Sequence, residues 1–288
     1  MKQKLVKTKF FLKFVSLVTP IFAYVVLFSQ HSRVQAYFGL KCENNFIVEL
    51  DRLMFGEYAY TLMDSIQHWS LDVLSACMYL IHYPLPFLFL IYLLIYKNET
   101  NNTIKFLLAF GMVNCVGVIL QYIVPTPPPW MFSNLGPEAK FKNFDSLFHI
   151  DLFRNIYSKS PLVCGAWPSL HTAWPSIILC LRPWFGKTFC LLHVLLIGFS
   201  AIYSGHHYFI DVLFGFVFSF TLTLLCSQII DKYFDFDTEF KFLLGDNLSN
   251  NAFLKLITSR NSTKKRNKIL IYSLVKTNSK DDENIQLV

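Results

Sequence analysis

Two histidine-containing runs carry residue types from which phosphorus chemistry can be built. The first is Gly165–His171, with the sequence GAWPSLH, and the second is Gly205–Asp211, with the sequence GHHYFID. Two imidazoles and a carboxylate can supply a nucleophile, a proton donor and an orienting base. Both runs adjoin long apolar stretches, where ionisable side chains are costly, so their presence there indicates a function.

His207 and Asp211 are expected to work as a pair. Their spacing of four places both side chains on one face of a helix. The carboxylate can then accept a hydrogen bond from the imidazole, fix its tautomer and stabilise positive charge on it. A histidine held in this way is a competent nucleophile toward phosphorus or a general base, and the apolar run that follows Asp211 predicts that this carboxylate needs such a partner.

His171 is predicted to be the proton donor of the same site. It follows Pro168 and Ser169, two residue types that favour the start of a helix, with the serine able to cap free backbone amides. The beginning of a helix also favours a bound anion. In that position His171 can protonate an oxygen that leaves phosphorus.

The same residue types allow a metal-site interpretation, because two histidines and an aspartate also bind zinc or iron. No further ligand cluster is evident, so we predict a site without metal or cofactor. His206 either helps to bind phosphate or satisfies the interface, and the second interpretation is preferred. The candidate substrate-binding residues are Ser169, His206, Tyr208 and Trp130.

The composition is that of a membrane protein. Of the 288 residues, 53% are hydrophobic, 17% are aromatic and only 16% are charged, whereas about a quarter of the residues of a soluble domain are charged. The net charge of +7 does not indicate a nucleic-acid partner, because the basic residues form short clusters beside apolar runs. That distribution follows the positive-inside pattern.

Apolar runs of spanning length predict an all-α integral membrane protein with six transmembrane helices in a bundle. The positions of the basic clusters place both termini in the cytoplasm and the loops 29–70, 125–168 and 205–207 on the opposite, luminal side. Both histidine motifs therefore lie on that side. The predicted spans are residues 10–28, 71–96, 104–124, 169–184, 189–204 and 208–230.

The luminal loops contain two segments, residues 46–63 and 147–157, whose amphipathic pattern predicts short interfacial helices. The acidic residues of the first loop, among them Asp51 and Asp72, are expected to be solvated. Cys42 and Cys164 fall in these loops, and a disulfide between them is an open alternative, since two loop cysteines are weak evidence. Consecutive prolines before Trp130 predict a rigid turn that the indole anchors at the interface.

The chain divides into three predicted regions. Residues 1–70 contain the first transmembrane helix and the luminal amphipathic segment, residues 71–230 form a five-helix catalytic core, and residues 231–288 form a polar cytoplasmic tail. The tail is expected to be largely disordered and to be held near anionic lipid by its basic run at residues 264–268.

Together the two motifs resemble the type 2 phosphatidic acid phosphatase superfamily, through GAxPSLH at Gly165–His171 and HHYxxD at His206–Asp211. The resemblance is closest to fungal inositol phosphorylceramide synthases (catalytic subunit), which share a PPW turn like Pro128–Trp130 and a stretch similar to Ser160–Ala166. It covers residues 70–230, and residues 1–70 only in hydropathy.

The resemblance implies that His207 is the nucleophile, that Asp211 is its orienting partner, and that His171 is first the acid and then the base. It also implies a phosphotransferase of the Golgi membrane with a luminal site. The substrates would be phosphatidylinositol and ceramide, and a small regulatory membrane subunit is a further expected partner. A sphingomyelin-synthase-like transferase and a lipid phosphate phosphatase remain the alternatives.

One departure from the superfamily pattern bears on the substrate. Phosphatase members carry an arginine six residues before the nucleophilic histidine, where this chain has Ala201, and the proline-rich turn lacks the bases of their first motif. A dianionic phosphomonoester would need those cations. Their absence favours a monoanionic phosphodiester.

Overall fold

The computed structural model describes residues 2–43, 46–97, 100–133, 135–160, 164–181 and 184–234. Within these residues the secondary structure is helical, and the only β-type pairing is an isolated bridge between Thr126 and Gly165. The α-helices, in chain order, are α1 (Lys2–Ser29), α2 (His31–Tyr37), α3 (Phe46–Phe55), α4 (Ala59–Leu62), α5 (Trp69–His82), α6 (Leu85–Ile91), α7 (Thr100–Ile123), α8 (Phe141–Phe148), α9 (Leu152–Tyr157), α10 (Leu170–Leu181), α11 (Trp184–Tyr203) and α12 (Phe209–Tyr233).

Four helices of the described residues are long and apolar enough to cross a membrane, namely α1, α7, α11 and α12. A fifth span arises if α5 and α6 count as one, because together they are long and apolar enough to cross a membrane, with a bend of 44° between them. The sixth predicted span corresponds to α10, which has only 12 residues and is about 18 Å long. The all-α, multi-pass prediction is therefore confirmed, whereas the number six stays a prediction.

The helices alternate in direction, which brings both histidine motifs to one end of the bundle. At that end the Tyr122 hydroxyl, near the end of α7, donates to the Leu27 carbonyl near the end of α1. At the opposite end Lys105, near the start of α7, pairs with Asp231, near the end of α12. We call the end that carries the histidine motifs the site end.

Small and hydroxylated residues bring α10 and α12 into close contact, as is common between membrane helices. The Thr172 hydroxyl of α10 lies within hydrogen-bond distance of the Val212 carbonyl of α12, at 3.1 Å. Gly215 faces the same crossing: a Cβ there would lie 2.6 Å from Thr172 Oγ1 and would also overlap the Ser169 carbonyl oxygen. The glycine is needed because the two backbones approach so closely.

The loops at the site end carry α3 and α4 within the first predicted segment, residues 46–63, and α9 within the second, residues 147–157, while α8 lies mostly before it. That these helices are interfacial and luminal stays a prediction. The sequence predicts that the acidic residues of the first loop are solvated, but two of them are buried. Asp51 is fully buried and Asp72 nearly so, because each binds backbone or side-chain donors from distant parts of the chain. The predicted tail lies outside the described residues from position 235 onward.

Candidate active site

His171 and His207 meet at the site end of the bundle. The distance from His171 Nδ1 to His207 Nε2 is 3.0 Å, which is a hydrogen bond between the two rings. His171 lies in the first turn of α10, and His207 lies in the turn that joins α11 to α12. The two predicted catalytic histidines therefore come together although they belong to different elements.

The backbone carbonyl of Ala166 fixes the orientation of the His207 ring. His207 Nδ1 lies 2.8 Å from this oxygen and 3.5 Å from Asp211 Oδ2. A carbonyl oxygen can only accept, so Nδ1 carries the proton and Nε2 keeps its lone pair toward His171. The sequence predicted the Asp211 contact but placed both residues on one helix; His207 instead precedes α12, which begins at Phe209.

The segment around Ala166 is held from several sides, which explains how one carbonyl can be placed so accurately. The Ala166 amide donates to the Thr126 carbonyl at 3.0 Å, and the Gln121 side-chain amide donates to the Gly165 carbonyl at 3.0 Å. Cys164 forms a disulfide with Cys42, which settles the alternative that the sequence left open. We call residues 164–168 the strap.

Asp211 is completely buried and joins Ser169, the residue after the strap, to the start of α12. Its Oδ2 accepts a hydrogen bond from the Tyr208 amide at 2.9 Å, and its backbone carbonyl accepts one from the Ser169 amide at 3.1 Å. Oδ1 has no hydrogen-bond partner among the described residues. The carboxylate thus lies beside the His207 ring while it also organises the first turn of the helix.

Asp51 of α3 is a site residue that the sequence analysis missed. Its Oδ1 accepts hydrogen bonds from the amides of Phe209 at 2.8 Å and Ile210 at 3.3 Å, and its Oδ2 accepts one from the Ala59 amide at 2.9 Å. These contacts satisfy free amides at the N-terminus of α12. An aspartate in this acidic stretch carries no local signal of this role, because its partners at the start of α12 lie 158 and 159 residues away.

Two of the four predicted substrate-binding residues have polar atoms that either hydrogen-bond to other protein groups or are buried. His206 hydrogen-bonds through Nδ1 to the Ser204 hydroxyl at 2.9 Å and through Nε2 to the Pro137 carbonyl at 3.1 Å. Tyr208 is fully buried, with its ring near those of Tyr58 and Tyr60. For both residues the geometry favours a structural role over contact with substrate.

The other two predicted substrate-binding residues lie at the edges of the site. Ser169 is fully buried and its hydroxyl has no hydrogen-bond partner among the described residues, so it does not provide the expected helix cap. Trp130 donates its backbone amide to the Gly205 carbonyl at 2.9 Å. This bond ties the proline-rich turn to the loop that carries His207.

The exposure of the site residues shows from which side a phosphate can approach. His207 and Asp211 are buried, whereas His171 is partly exposed. The ring of Tyr79 lies 4.6 Å from that of His171 and forms one wall of the site. Within the described residues no group of three or more histidine, cysteine, aspartate or glutamate side chains is arranged to hold a metal ion.

This arrangement can support phosphoryl transfer through histidine. Because Nδ1–H of His207 is bound to the Ala166 carbonyl, its Nε2 lone pair is available to attack an electrophile. His171 Nδ1 is one hydrogen bond away from that nitrogen and can give its proton to a leaving oxygen that takes the place of the His207 contact.

Comparisons with known proteins show which proteins the chain is similar to. The chain is 36% identical over 167 residues to a phosphoinositol dihydroceramide synthase of Bacteroides thetaiotaomicron, a match that covers 52% of this chain and 54% of that protein. It is 30% identical over 197 residues to the inositol phosphorylceramide synthase catalytic subunit aur1 of Schizosaccharomyces pombe, covering 64% of this chain and 46% of that protein. For the corresponding subunit AUR1 of Saccharomyces cerevisiae the identity is 26% over 192 residues, covering 60% and 46%.

The chain spans about half the length of these curated relatives. No solved structure is significantly similar to it. A family model described as the PAP2 superfamily matches residues 45–225, a range that begins before α3 and includes both histidine motifs. The resemblance that the two motifs suggested is thereby confirmed, and the chain belongs to the PAP2 superfamily.

Proposed function

We propose that this protein is a lipid phosphotransferase that moves phosphoinositol from phosphatidylinositol to ceramide, giving inositol phosphorylceramide and diacylglycerol. The observation that carries the proposal is the 3.0 Å distance between His171 Nδ1 and His207 Nε2, which brings a nucleophile and a proton donor to one phosphorus atom. The names of the relatives, a phosphoinositol dihydroceramide synthase and inositol phosphorylceramide synthases, support the choice of substrates.

In the first half-reaction His207 Nε2 attacks the phosphorus of phosphatidylinositol. His171 enters this step as the imidazolium, with a proton on each ring nitrogen. The N–P bond forms while the bond from phosphorus to the diacylglycerol oxygen breaks, and His171 gives its Nδ1 proton to that oxygen and becomes neutral. Positive charge grows on the His207 ring during the attack. The Ala166 carbonyl at 2.8 Å and Asp211 at 3.5 Å from Nδ1 stabilise this charge.

In the second half-reaction the 1-hydroxyl of ceramide attacks the phosphohistidine. Its O–P bond forms, the P–N bond to His207 breaks, and the deprotonated His171 takes the hydroxyl proton. Both histidines return to their starting states. Because diacylglycerol leaves before ceramide reacts, ping-pong kinetics are expected.

The charges near the site favour a phosphodiester substrate over a phosphomonoester. Ala201 stands where phosphatase members have an arginine, and it is fully buried with its carbonyl accepting the amides of His206 and His207. Lys140, a buried cation at this end of the bundle, is paired with Asp64 and lies over the ring of Tyr203. A dianionic phosphate would need free cations that this arrangement does not offer.

We further propose a Golgi membrane protein with a luminal site, both termini in the cytoplasm, and α10 as the fourth of six spans. The disulfide between Cys42 and Cys164 at the site end supports an oxidising compartment on that side. Two of the relatives are named catalytic subunits, which supports the proposal that a small membrane subunit regulates this chain.

The test is a transfer assay with purified protein in detergent or liposomes, inositol-labelled phosphatidylinositol and fluorescent ceramide, with products separated by thin-layer chromatography. Labelled inositol phosphorylceramide is the expected product. Release of inositol phosphate to water would instead indicate a phosphatase, and transfer only from choline or ethanolamine lipids would indicate the sphingomyelin-synthase-like alternative.

The same assay tests the residue roles. We expect His171→Ala, His207→Ala and Asp211→Ala each to lower the rate by about 10²–10⁴-fold, while His149→Asn, a change at an exposed histidine on the same side, retains it. A normal rate in any of the three alanine variants would remove that residue from the mechanism. Loss of activity on chelation would favour a metal-dependent enzyme.

A further inference from the structure

An apolar groove lies between α6, α10 and α11, deeper in the bundle than the catalytic histidines. Its floor is buried and includes Phe89, Ile178 and Cys190. Its rim includes Leu88 and Phe189, which are 58% and 69% exposed. α11, and α6 together with α5, are long and apolar enough to cross a membrane, so we expect this exposed rim to face the hydrocarbon of the bilayer and the groove to open sideways to lipid.

One buried histidine lines the groove, and a second lies three residues before Leu85, another lining residue. His193 lines the groove and is 7% exposed, and its Nε2 has no hydrogen-bond partner among the described residues. His82 is 2% exposed, and its Nδ1 also lacks a partner in the described part of the chain. A buried polar atom without a partner is costly, above all in a membrane. The Nε2 of His193, a lining residue of the groove, therefore indicates a ligand that supplies a hydrogen-bonding group there.

His82 connects the groove to the catalytic site. It ends α5, at the point where the chain bends by 44° into α6. Its ring centroid lies 5.3 Å from that of His171 and 4.7 Å from the ring of Trp174, on which it stacks. Three residues after His82 the chain reaches Leu85, which lines the groove. The end of α5 and the start of α6 therefore lead from the proton-transferring His171, through His82, to the groove.

We propose that this groove holds a hydrocarbon chain of the acceptor lipid, and that His82 binds the polar group next to its reacting hydroxyl. The proposal rests on the proposed function and assigns the acceptor subsite within it. In ceramide the 1-hydroxyl, the amide and the 3-hydroxyl are on three consecutive carbons. When the 1-hydroxyl lies at His171, the 3-hydroxyl or amide reaches a side chain one ring away, which is where His82 lies.

The first test compares ceramide with 3-deoxyceramide as acceptor. A hydrogen bond of ordinary strength corresponds to a preference of roughly three- to tenfold for the natural acceptor. We expect the wild-type protein to show that preference in kcat/KM and His82→Leu to lose it. If His82→Leu keeps the full preference and the wild-type KM for both acceptors, the assignment of His82 is wrong. If His82 binds the amide instead, His82→Leu keeps the preference but has a raised KM for both acceptors. That result overturns the 3-hydroxyl contact and retains the subsite.

The second test fills the groove and separates acceptor from donor. Cys190→Phe adds a ring at the groove floor, and Leu192→Phe, at a 53% exposed position of the same helix, is the matched control. Two rates are measured for each variant: transfer to ceramide, and exchange of labelled diacylglycerol into phosphatidylinositol, which needs only the first half-reaction. We expect the ratio of transfer to exchange to fall at least fivefold in Cys190→Phe and to stay at the wild-type value in Leu192→Phe.

The outcomes of this second test are distinguishable. An equal loss of both rates in Cys190→Phe would assign the groove to the donor lipid and overturn the proposal, as would an unchanged ratio. If the wild-type protein transfers nothing to ceramide, the proposed function fails. The groove is then tested by binding alone: a photoactivatable ceramide with a diazirine in its chain should label peptides of α6 and α11 in His207→Ala, and labelling confined to other segments would sink the assignment.

Discussion

The orientation of His207 depends on groups that are far apart in the sequence. Its ring is held by the Ala166 carbonyl, and the backbone that follows it is held by Asp51, whose carboxylate accepts three backbone amides. Charge-assisted hydrogen bonds of this kind are among the stronger ones in proteins. We therefore propose that Asp51 is a positioning residue, which acts on His207 through the first turn of α12.

Substitution of Asp51 should reduce turnover more than substrate binding. In Asp51→Asn one carboxylate oxygen becomes an NH₂ group that faces backbone amides, which costs about 1–3 kcal/mol of unfolding free energy and shifts the start of α12. We expect kcat to fall about tenfold with a smaller change in KM, because a small displacement of a nucleophile has a large effect on rate.

The control for Asp51 is Glu49→Gln on the same helix, where the side chain is exposed and pairs with Arg52. Such a surface pair contributes little. Steady-state kinetics and thermal unfolding are measured for both variants. A loss of stability in Asp51→Asn without any change in kcat would make Asp51 a purely structural residue.

The burial of His206 is expected to make the stability of the folded protein depend on pH. Burial, with a further contribution from the nearby His207, lowers the pKa of His206 to about 3 from its usual 6.5. Below pH 6.5 the unfolded chain takes up a proton that the folded protein does not accept until about pH 3. The contribution of His206 to the free energy of unfolding is therefore complete above pH 6.5. It decreases as the pH falls below 6.5, by up to about 1.4 kcal/mol per pH unit.

The measurement is thermal unfolding of the detergent-solubilised protein at pH 7.5 and pH 5.0. In His206→Gln the difference between the two melting temperatures should be smaller than in the wild-type protein, although the protein is less stable at pH 7.5 because two hydrogen bonds are altered. His149→Asn is the control: this residue is exposed and has a positive φ of 54°, which asparagine tolerates. An equal pH difference in His206→Gln and the wild-type protein would show that His206 does not contribute.

At the scale of the elements, the relative position of α10 and α12 sets the distance between the catalytic histidines. His171 is in the first turn of α10, His207 directly precedes α12, and the two helices cross at Gly215. The neighbours that a Cβ at Gly215 would meet include the backbone of Ser169, which cannot rotate away. A methyl group at this crossing must therefore move one helix relative to the other.

Gly215→Ala should lower kcat by about tenfold or more and destabilise the protein by about 1–3 kcal/mol, since overpacking of this size forces backbone shifts. The matched control is Gly117→Ala. The nearest atoms to a Cβ at Gly117 belong to the flexible end of the Leu170 side chain, which can change rotamer. Equal activity of the two variants would show that the crossing at Gly215 does not determine the geometry of the site.

The sequence predicted those features that depend on local composition and missed those that depend on tertiary contact. Apolar runs of spanning length correspond to α1, α7, α11 and α12, because hydrophobic length is a property of one segment. The meeting of His171 with His207 followed from two specific motifs. By contrast, the burial of Asp51 and the ring contacts of His82 arise from residues far along the chain, and no periodicity or spacing encodes them.

At the scale of the whole molecule, the loop before α3 is joined covalently to the strap, residues 164–168. The disulfide between Cys42 and Cys164 spans 122 residues, and the Gln35 side chain, seven residues before Cys42, donates to the Cys164 carbonyl at 3.0 Å. The first outer loop thus helps to hold the segment whose Ala166 carbonyl orients His207. The disulfide also depends on the compartment, because such bonds persist where the environment is oxidising.

Removal of the disulfide should therefore affect both stability and turnover. We expect the double variant Cys42→Ser and Cys164→Ser to lose about 2–4 kcal/mol of unfolding free energy and part of its kcat, while Cys77→Ser, at an exposed free cysteine, changes neither. In sealed microsomes whose cytoplasmic face is outside, a membrane-impermeant reductant should leave the bond intact, and a permeant one should open it to maleimide labelling. Opening by the impermeant reagent would place the site end, and with it the catalytic histidines, in the cytoplasm, which contradicts the proposed topology.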